Sequence, residues 1–424
     1  MKIRPARSFR GTFKMPGDKS ITHRAFLFGA LAHGVTTIEG ASDGDDCAST
    51  RRCLTALGFR FEGSAPSSLL TVRGGAPLSP PAASLDCGNS GTTLRLLMGV
   101  LAPSTFESEL AGDESLNRRP MERVAEPLRR MGAHIETTGG RPPVRVRGAT
   151  LHGAAVTPVA ASAQIKSAIL LAALGAFGKT VVHEPVPTRD HTERMIRLFG
   201  GRIQTTGSEI SLDGPQRLTG TRVMIPGDPS SAAPFVVATL ISPDSEVTIE
   251  DVLLNPHRVR YLDILREMGA DIETTITSAA DAEPAGRIVA RSSALRGVTI
   301  APRDVPAVVD ELPILAVAGA MAQGCLEVRG AAELRVKESD RIASMVEGLS
   351  AMGARIDELE DGFRVSGGRP LKGAPVRSHG DHRIAMALSV AALAARGDTE
   401  VAEAEAVSIS LPGFFSELER GAGR

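Results

Sequence analysis

The chain has 424 residues, 42% of them apolar and 23% charged, so it holds material for more than one hydrophobic core and lies outside the disordered and fibrous classes. Its 48 Lys+Arg stand against 49 Asp+Glu, which leaves no global field to draw in nucleic acid or an anionic membrane and makes any anion site a local one. The four cysteines form no CxxC pair and have no histidine at ligand spacing. No apolar targeting segment follows the basic start MKIRPARSFRG, and no stretch reaches membrane-span length, so a cytoplasmic chain with reduced thiols and no metal site is expected.

In chain order, six segments rich in Ala and Leu are predicted as helices: Asp18 to His33, Asn89 to Ala102, Ser162 to Phe177, Asp228 to Ile241, Asp310 to Gln323 and Asp381 to Arg396. They begin 66 to 82 residues apart, which marks an internal repeat. Apolar residues run round the whole circumference of each, as in DHRIAMALSVAALAA, so each reads as a buried helix opened by an Asp, Asn or Ser cap. Short alternating strands follow most of them: VTTIEG from Val35, TVVHEP from Thr180, SEVTIEDV from Ser245 and CLEVRGA from Cys325.

A second series ends amphipathic helices with a bulky residue and glycine, at Leu57-Gly58, Met131-Gly132, Phe199-Gly200, Met268-Gly269 and Met352-Gly353. Strands are predicted around Phe61, Ile135, Ile203, Ile272 and Ile356. Six α/β units of about 70 residues, three per domain, follow from this spacing, and no glycine-rich dinucleotide fingerprint accompanies any strand.

Buried helices with free N–H groups at their starts are anion sites, and cations collect at those starts. Lys19 and Ser20, with Arg24 a turn later, open the first; Asn89 and Gly91 open the second; Ser162, Ala163 and Gln164 open the third. Arg119 and Arg189 sit in loops ahead of outer helices. In the C-terminal half, Asp310, the run Lys337, Glu338 and Arg341, and the pair His382 and Arg383 all fall at helix starts. Each start alone reads equally as a capped or salt-bridged helix end. Together they imply a site for two small anions with carboxylates for proton transfer.

The segments PGDKSITHRA, GNSGTTLRLL, RRPMERV, SAQIKSAILLA, TRDHTERM, PGDPSSAA, DELPILAVA, RVKESDR and DHRIAMA, in order from Lys14 to Leu418, resemble the 5-enolpyruvylshikimate-3-phosphate synthase family. The resemblance implies an α/β fold, a two-domain inverse α/β barrel of six βαβαββ units. One domain is then 1–17 plus 227–424, the other 18–226, with the active site in the interdomain cleft. It implies that Lys19, Ser20, Arg24, Ser162, Ala163, Gln164, Arg189, Asp310 and Lys337 hold shikimate 3-phosphate. Lys19, Asn89, Gly91, Arg119, Gln164, Arg341, His382 and Arg383 surround phosphoenolpyruvate, and Asp310, Glu338 and Lys19 are catalytic. No cofactor, nucleic acid or membrane partner is implied, and a monomer is expected.

Two features depart from the family or bear on specificity. Many members carry a Lys near the C-terminus where this chain reads Val407-Ser408-Ile409-Ser410, which removes one expected phosphoenolpyruvate contact. Gly91 stands where glyphosate-insensitive members can have Ala, so glyphosate is expected to enter. Among alternatives, a UDP-N-acetylglucosamine enolpyruvyl transferase is opposed by Glu114, which stands where that enzyme's loop Cys would be. A DNA-encircling ring is opposed by the scarcity of scattered cations and aromatics. A non-catalytic sugar-phosphate binder is opposed by the retention of Asp310 and Glu338.

Overall fold

The computed structural model describes residues 1–63, 69–278 and 283–424. The chain forms two compact units. Among the described residues, one contains Met1–Pro16, 226–278 and Pro284–Arg424; the other contains 17–63 and 69–225, with Glu283.

All six apolar segments are helices, at Lys19–Leu31, Gly91–Leu101, Ala163–Ala173, Pro229–Ile241, Leu312–Met321 and His382–Leu393. Nearly every residue of each is buried, which is why their apolar residues show no single face. Truncating one of these, such as Leu315 or Leu388, both fully buried, costs about 2–5 kcal/mol by the usual measure of a core cavity. The cap side chains follow the sequence at Asp18, Asp228 and Asp381. At the second helix the cap is Ser90 rather than Asn89, with Thr93 N donating to its Oγ at 3.1 Å. Ser162 makes no side-chain cap bond. Asp310 lies one residue ahead of the cap position Glu311, so its carboxylate is left for Arg341.

Four of the six buried helices each join two strands that pair in parallel. In the second unit, Leu85–Asp86 pairs in parallel with Glu107–Ala111 across the Gly91–Leu101 helix, and Ala155–Val156 pairs with Gly178–His183 across Ala163–Ala173. An outer helix and an antiparallel hairpin then extend each sheet to four strands. The first sheet of this unit takes its parallel edge from its far end: Arg222–Met224 lies beside Gly34–Glu39, so the ring of repeats closes on itself. The first unit does the same with Arg10–Lys14 beside Glu246–Leu253. Its last repeat is shorter than expected. After Thr399–Ala402 the chain runs into the 3-10 turn Ala404–Ile409 and the helix Phe414–Gly421, so Lys2–Ile3 completes a three-stranded sheet instead.

The five glycines after the outer helices all have positive φ, from +80° to +102°, the left-handed turn that ends a helix and leads into the next strand. The strand after Gly200 begins at Gln204, one residue beyond Ile203. Where the chain enters the second unit, Gly17 packs so closely that a Cβ would lie 1.8 Å from the carbonyl oxygen of Gly40. No helix among the described residues is long and apolar enough to cross a membrane. All four cysteines are free thiols, three buried and Cys325 exposed.

Candidate active site

In the second unit the starts of the first three helices carry one connected polar network. Lys19 Nζ lies 2.9 Å from Asp46 Oδ2, both largely shielded. Arg24 is buried; its Nε donates to Thr192 Oγ1 at 2.8 Å, Nη1 to Ser20 O at 2.8 Å and Nη2 to Ser167 Oγ at 2.6 Å. Ser167 in turn donates to Ala163 O at 2.6 Å, so Arg24 ties Ser20 to the start of the Ala163–Ala173 helix. Burial brings the Arg24 pKa down to about 10, against the opposing pull of Glu193 and Asp18. The arginine therefore keeps its charge at neutral pH. Arg189, half-buried in its loop, adds a further cation close enough to depress Arg24.

Around Gly91 the predicted residues meet directly. Arg119 Nη2 donates to Asn89 Oδ1 at 2.5 Å, and Asn89 Nδ2 donates to Asp113 Oδ2 at 2.6 Å. Gln164 accepts from Arg95 Nη1 at 2.5 Å and donates to Thr92 Oγ1 at 2.8 Å. A Cβ on Gly91 would stand 2.7 Å from Arg95 Nη1 and 3.5 Å from Arg119 Nη1. Two nearly buried guanidinium groups thus flank the N–H groups of a helix start, an arrangement matched to a phosphate or carboxylate. Arg95 escaped the sequence reading. Its signal was a lone cation four residues after Gly91 on an otherwise apolar helix. Another buried cation on an apolar helix, Lys166, is structural, held by Glu184 at 2.9 Å and Glu193 at 2.8 Å.

Asp190, His191 and Glu283 bring ligand-type atoms within 4.8 Å of one another. Arg194 Nε lies 2.8 Å from Asp190 Oδ2 and 3.7 Å from Glu283 Oε2, so a guanidinium supplies the positive charge there.

In the first unit, Arg341 organises the carboxylates. Its Nε donates to Asp381 Oδ2 at 2.8 Å, its Nη2 to Glu338 Oε2 at 2.7 Å and its Nη1 to Asp310 Oδ1 at 3.3 Å. Burial acts to lower its pKa, but Asp381, Glu338 and Asp310 outweigh burial and raise it, so the charge is permanent. Lys337 sits beside the same group. Burial lowers its pKa, with the charge of Asp310 opposing, which makes it a readier proton donor than a surface lysine. Asp381 also accepts from Arg383 N at 2.8 Å and so caps the helix that carries His382 and Arg383. Arg383 Nη1 donates to Ser230 O at 3.1 Å, while its Nε is buried with no protein acceptor. A small depression lies here, lined by Asp310 and Arg383 with Ser230, Pro234, Pro313 and Met386.

Elsewhere, Glu114 is exposed and paired with Arg118. Ile409 ends the Ala404–Ile409 turn and brings no charge to it.

Repeated α/β units that present arginines and paired carboxylates at buried helix starts define an enzyme of the enolpyruvyl transferase fold class. An enolpyruvyl transferase from Streptomyces tendae, NikO, shares that fold at TM-score 0.80 and 20% identity, over 99% of this chain and 96% of its own. The chain belongs to the EPSP synthase (3-phosphoshikimate 1-carboxyvinyltransferase) family, whose sequence model matches residues 3–418. It is similar to the 3-phosphoshikimate 1-carboxyvinyltransferase of Geobacillus kaustophilus, 47% identical over 97% of both chains. That of a Synechococcus strain is 48% identical over 99% of this chain and 96% of its own. The EPSP synthase structure from Acinetobacter baumannii superposes at TM-score 0.87, with 43% identity over 99% of this chain and 97% of that one.

Proposed function

We propose that this protein transfers the enolpyruvyl group of phosphoenolpyruvate to the 5-hydroxyl of shikimate 3-phosphate and releases phosphate, acting as a monomer in the cytoplasm. The observation that carries the mechanism is Arg341, which bonds Asp310 and Glu338 at once and so holds two carboxylates around one fixed cation. Such a pair suits a reaction that must remove one proton and deliver another.

The 5-hydroxyl oxygen attacks C2 of phosphoenolpyruvate and gives its proton to Asp310, while Glu338 delivers a proton to C3. The product of addition is a tetrahedral ketal whose C3 is a methyl group. Elimination then breaks the C2–O bond to phosphate and returns one C3 proton to Glu338. Lys19 and His382 stabilise the departing phosphate, and charge stabilisation of this kind usually contributes most of the rate.

Shikimate 3-phosphate is held by Lys19, Ser20, Arg24, Ser162, Ala163, Gln164, Arg189, Asp310 and Lys337. Phosphoenolpyruvate is held by Lys19, Asn89, Gly91, Arg119 and Gln164, and by Arg341, His382 and Arg383. Arg95 joins this set, since it is hydrogen-bonded to Gln164 and lies against Gly91.

Addition–elimination is tested by running the reaction in deuterated water. Deuterium in the methylene of the recovered enolpyruvyl product is the expected result, because the methyl intermediate takes its third hydrogen from solvent through Glu338. A methylene that stays fully protonated contradicts the ketal route.

A further inference from the structure

Ser230 lies in the first turn of the Pro229–Ile241 helix, where its carbonyl would ordinarily accept the N–H four residues on. That residue is Pro234, which has no N–H. The freed carbonyl accepts Arg383 Nη1 at 3.1 Å. Every other polar group of Ser230 is also committed. Its N donates to Asp228 Oδ1 at 2.8 Å, its Oγ accepts from Arg258 Nη2 at 2.9 Å, and its hydroxyl donates to Glu311 Oε1. Arg258 and Glu311 are buried at 3% and 2% exposure, and Arg258 Nη2 also bonds Asp228 Oδ1 at 3.0 Å. Glu311 directly follows Asp310, so the same assembly fixes the backbone beside that carboxylate.

We propose that Pro234 and the buried Arg258–Ser230–Glu311 assembly are positioning residues, which free one helix carbonyl and lock it as the rest that aims Arg383 at the phosphoenolpyruvate anion. A helix-interior proline costs stability, and here the lost hydrogen bond is converted into an acceptor for a substrate-binding guanidinium. Ser230, Pro234, Asp310 and Arg383 line one small depression, so a shift of the carbonyl is passed directly to the Arg383 guanidinium. The proposal rests on the reading that Arg383 contacts phosphoenolpyruvate.

The test uses the full chain, three single variants and one double variant, with KM measured separately for phosphoenolpyruvate and shikimate 3-phosphate. Pro234→Ala supplies an amide that competes with Arg383 for the Ser230 carbonyl, and it restores a helical bond, so its Tm is expected to hold or rise. The KM for phosphoenolpyruvate is expected to rise about tenfold, the scale of one displaced charge-assisted contact, with kcat and the other KM within about twofold. Arg258→Gln, which loosens the clamp from the opposite side, is expected to act in the same direction. In an Arg383→Lys background, Pro234→Ala is expected to add nothing, because the two changes then remove one interaction. A folded Pro234→Ala protein with unchanged KM, beside an Arg383→Lys protein with raised KM, overturns the proposal and leaves the role of Arg383 standing. An Arg383→Lys protein with the parent KM removes that role and the proposal with it.

Discussion

Arg341 and Asp381 form an ion pair shut off from solvent, with Nε 2.8 Å from Oδ2 and side-chain exposures of 2% and 0%. The same carboxylate caps the His382–Leu393 helix through Arg383 N. One aspartate thus sets the direction of one arginine and the start of the helix that carries another, Arg383.

Asp381→Asn separates these duties, because asparagine still caps a helix but cannot balance the buried guanidinium. Arg341 keeps Glu338 and Asp310 as partners. The loss of stability should therefore fall below the full cost of an orphaned charge, at about 1–3 kcal/mol in urea unfolding. The kcat/KM should drop by about 10²-fold, since a misplaced guanidinium loses its charge stabilisation of the reacting anion.

Gly91→Ala is expected to leave the fold intact. The new Cβ meets the far end of the Arg95 side chain at 2.7 Å rather than a backbone atom. The cost is paid by the site: displacement of Arg95, and of Gln164 bonded to it, should raise the KM for phosphoenolpyruvate by about tenfold. The wild-type pocket should admit glyphosate, and the alanine variant should admit it less well. A wild-type rate that persists at millimolar glyphosate contradicts this.

The helices were legible because burial all round leaves a compositional trace, and the outer helices because a left-handed C-terminal turn calls for glycine. Most of the arginines and carboxylates named from helix starts do meet within their own units. Long-range pairing was not legible. Nothing in the sequence says that Glu311 and Arg258 converge on Ser230, or that Ser167 ties Arg24 to Ala163, because these contacts depend on which helix starts become neighbours. Arg95 and Lys166 look alike in sequence, each a cation in an apolar helix. Only the partners tell them apart: Gln164 for one, and the two glutamates Glu184 and Glu193 for the other.

His23 predicts a pH dependence of stability. Burial, reinforced by Lys19 and Arg24, holds its pKa well below 6.5, and the ring is bonded to Thr50 Oγ1 at 2.6 Å. The unfolded chain takes up a proton below pH 6.5 that the folded chain refuses. Its contribution is therefore complete above that pH and is lost as the pH falls below it, by up to about 1.4 kcal/mol per pH unit. Urea unfolding of His23→Gln between pH 7 and pH 5 should show a correspondingly shallower fall than the parent; parallel profiles contradict the assignment.

Gly17→Ala tests the packing where the chain enters the second unit. The Cβ would meet a backbone carbonyl at 1.8 Å, and backbone cannot swing aside as a side chain can. A loss of about 3 kcal/mol or more is expected, at or beyond the upper end for overpacking a tight site. A variant with the parent urea midpoint contradicts that account.

The most direct measurement of the proposed activity is phosphate release from phosphoenolpyruvate with shikimate 3-phosphate, with UDP-N-acetylglucosamine, and with no acceptor, for the parent and for Asp310→Asn and Glu338→Gln. Release with shikimate 3-phosphate alone, reduced by about 10²–10⁴-fold in each variant, is the predicted result for a positioned proton-transfer pair. Folded parent protein that releases no phosphate with either acceptor, or variants that turn over at the parent rate, would contradict it.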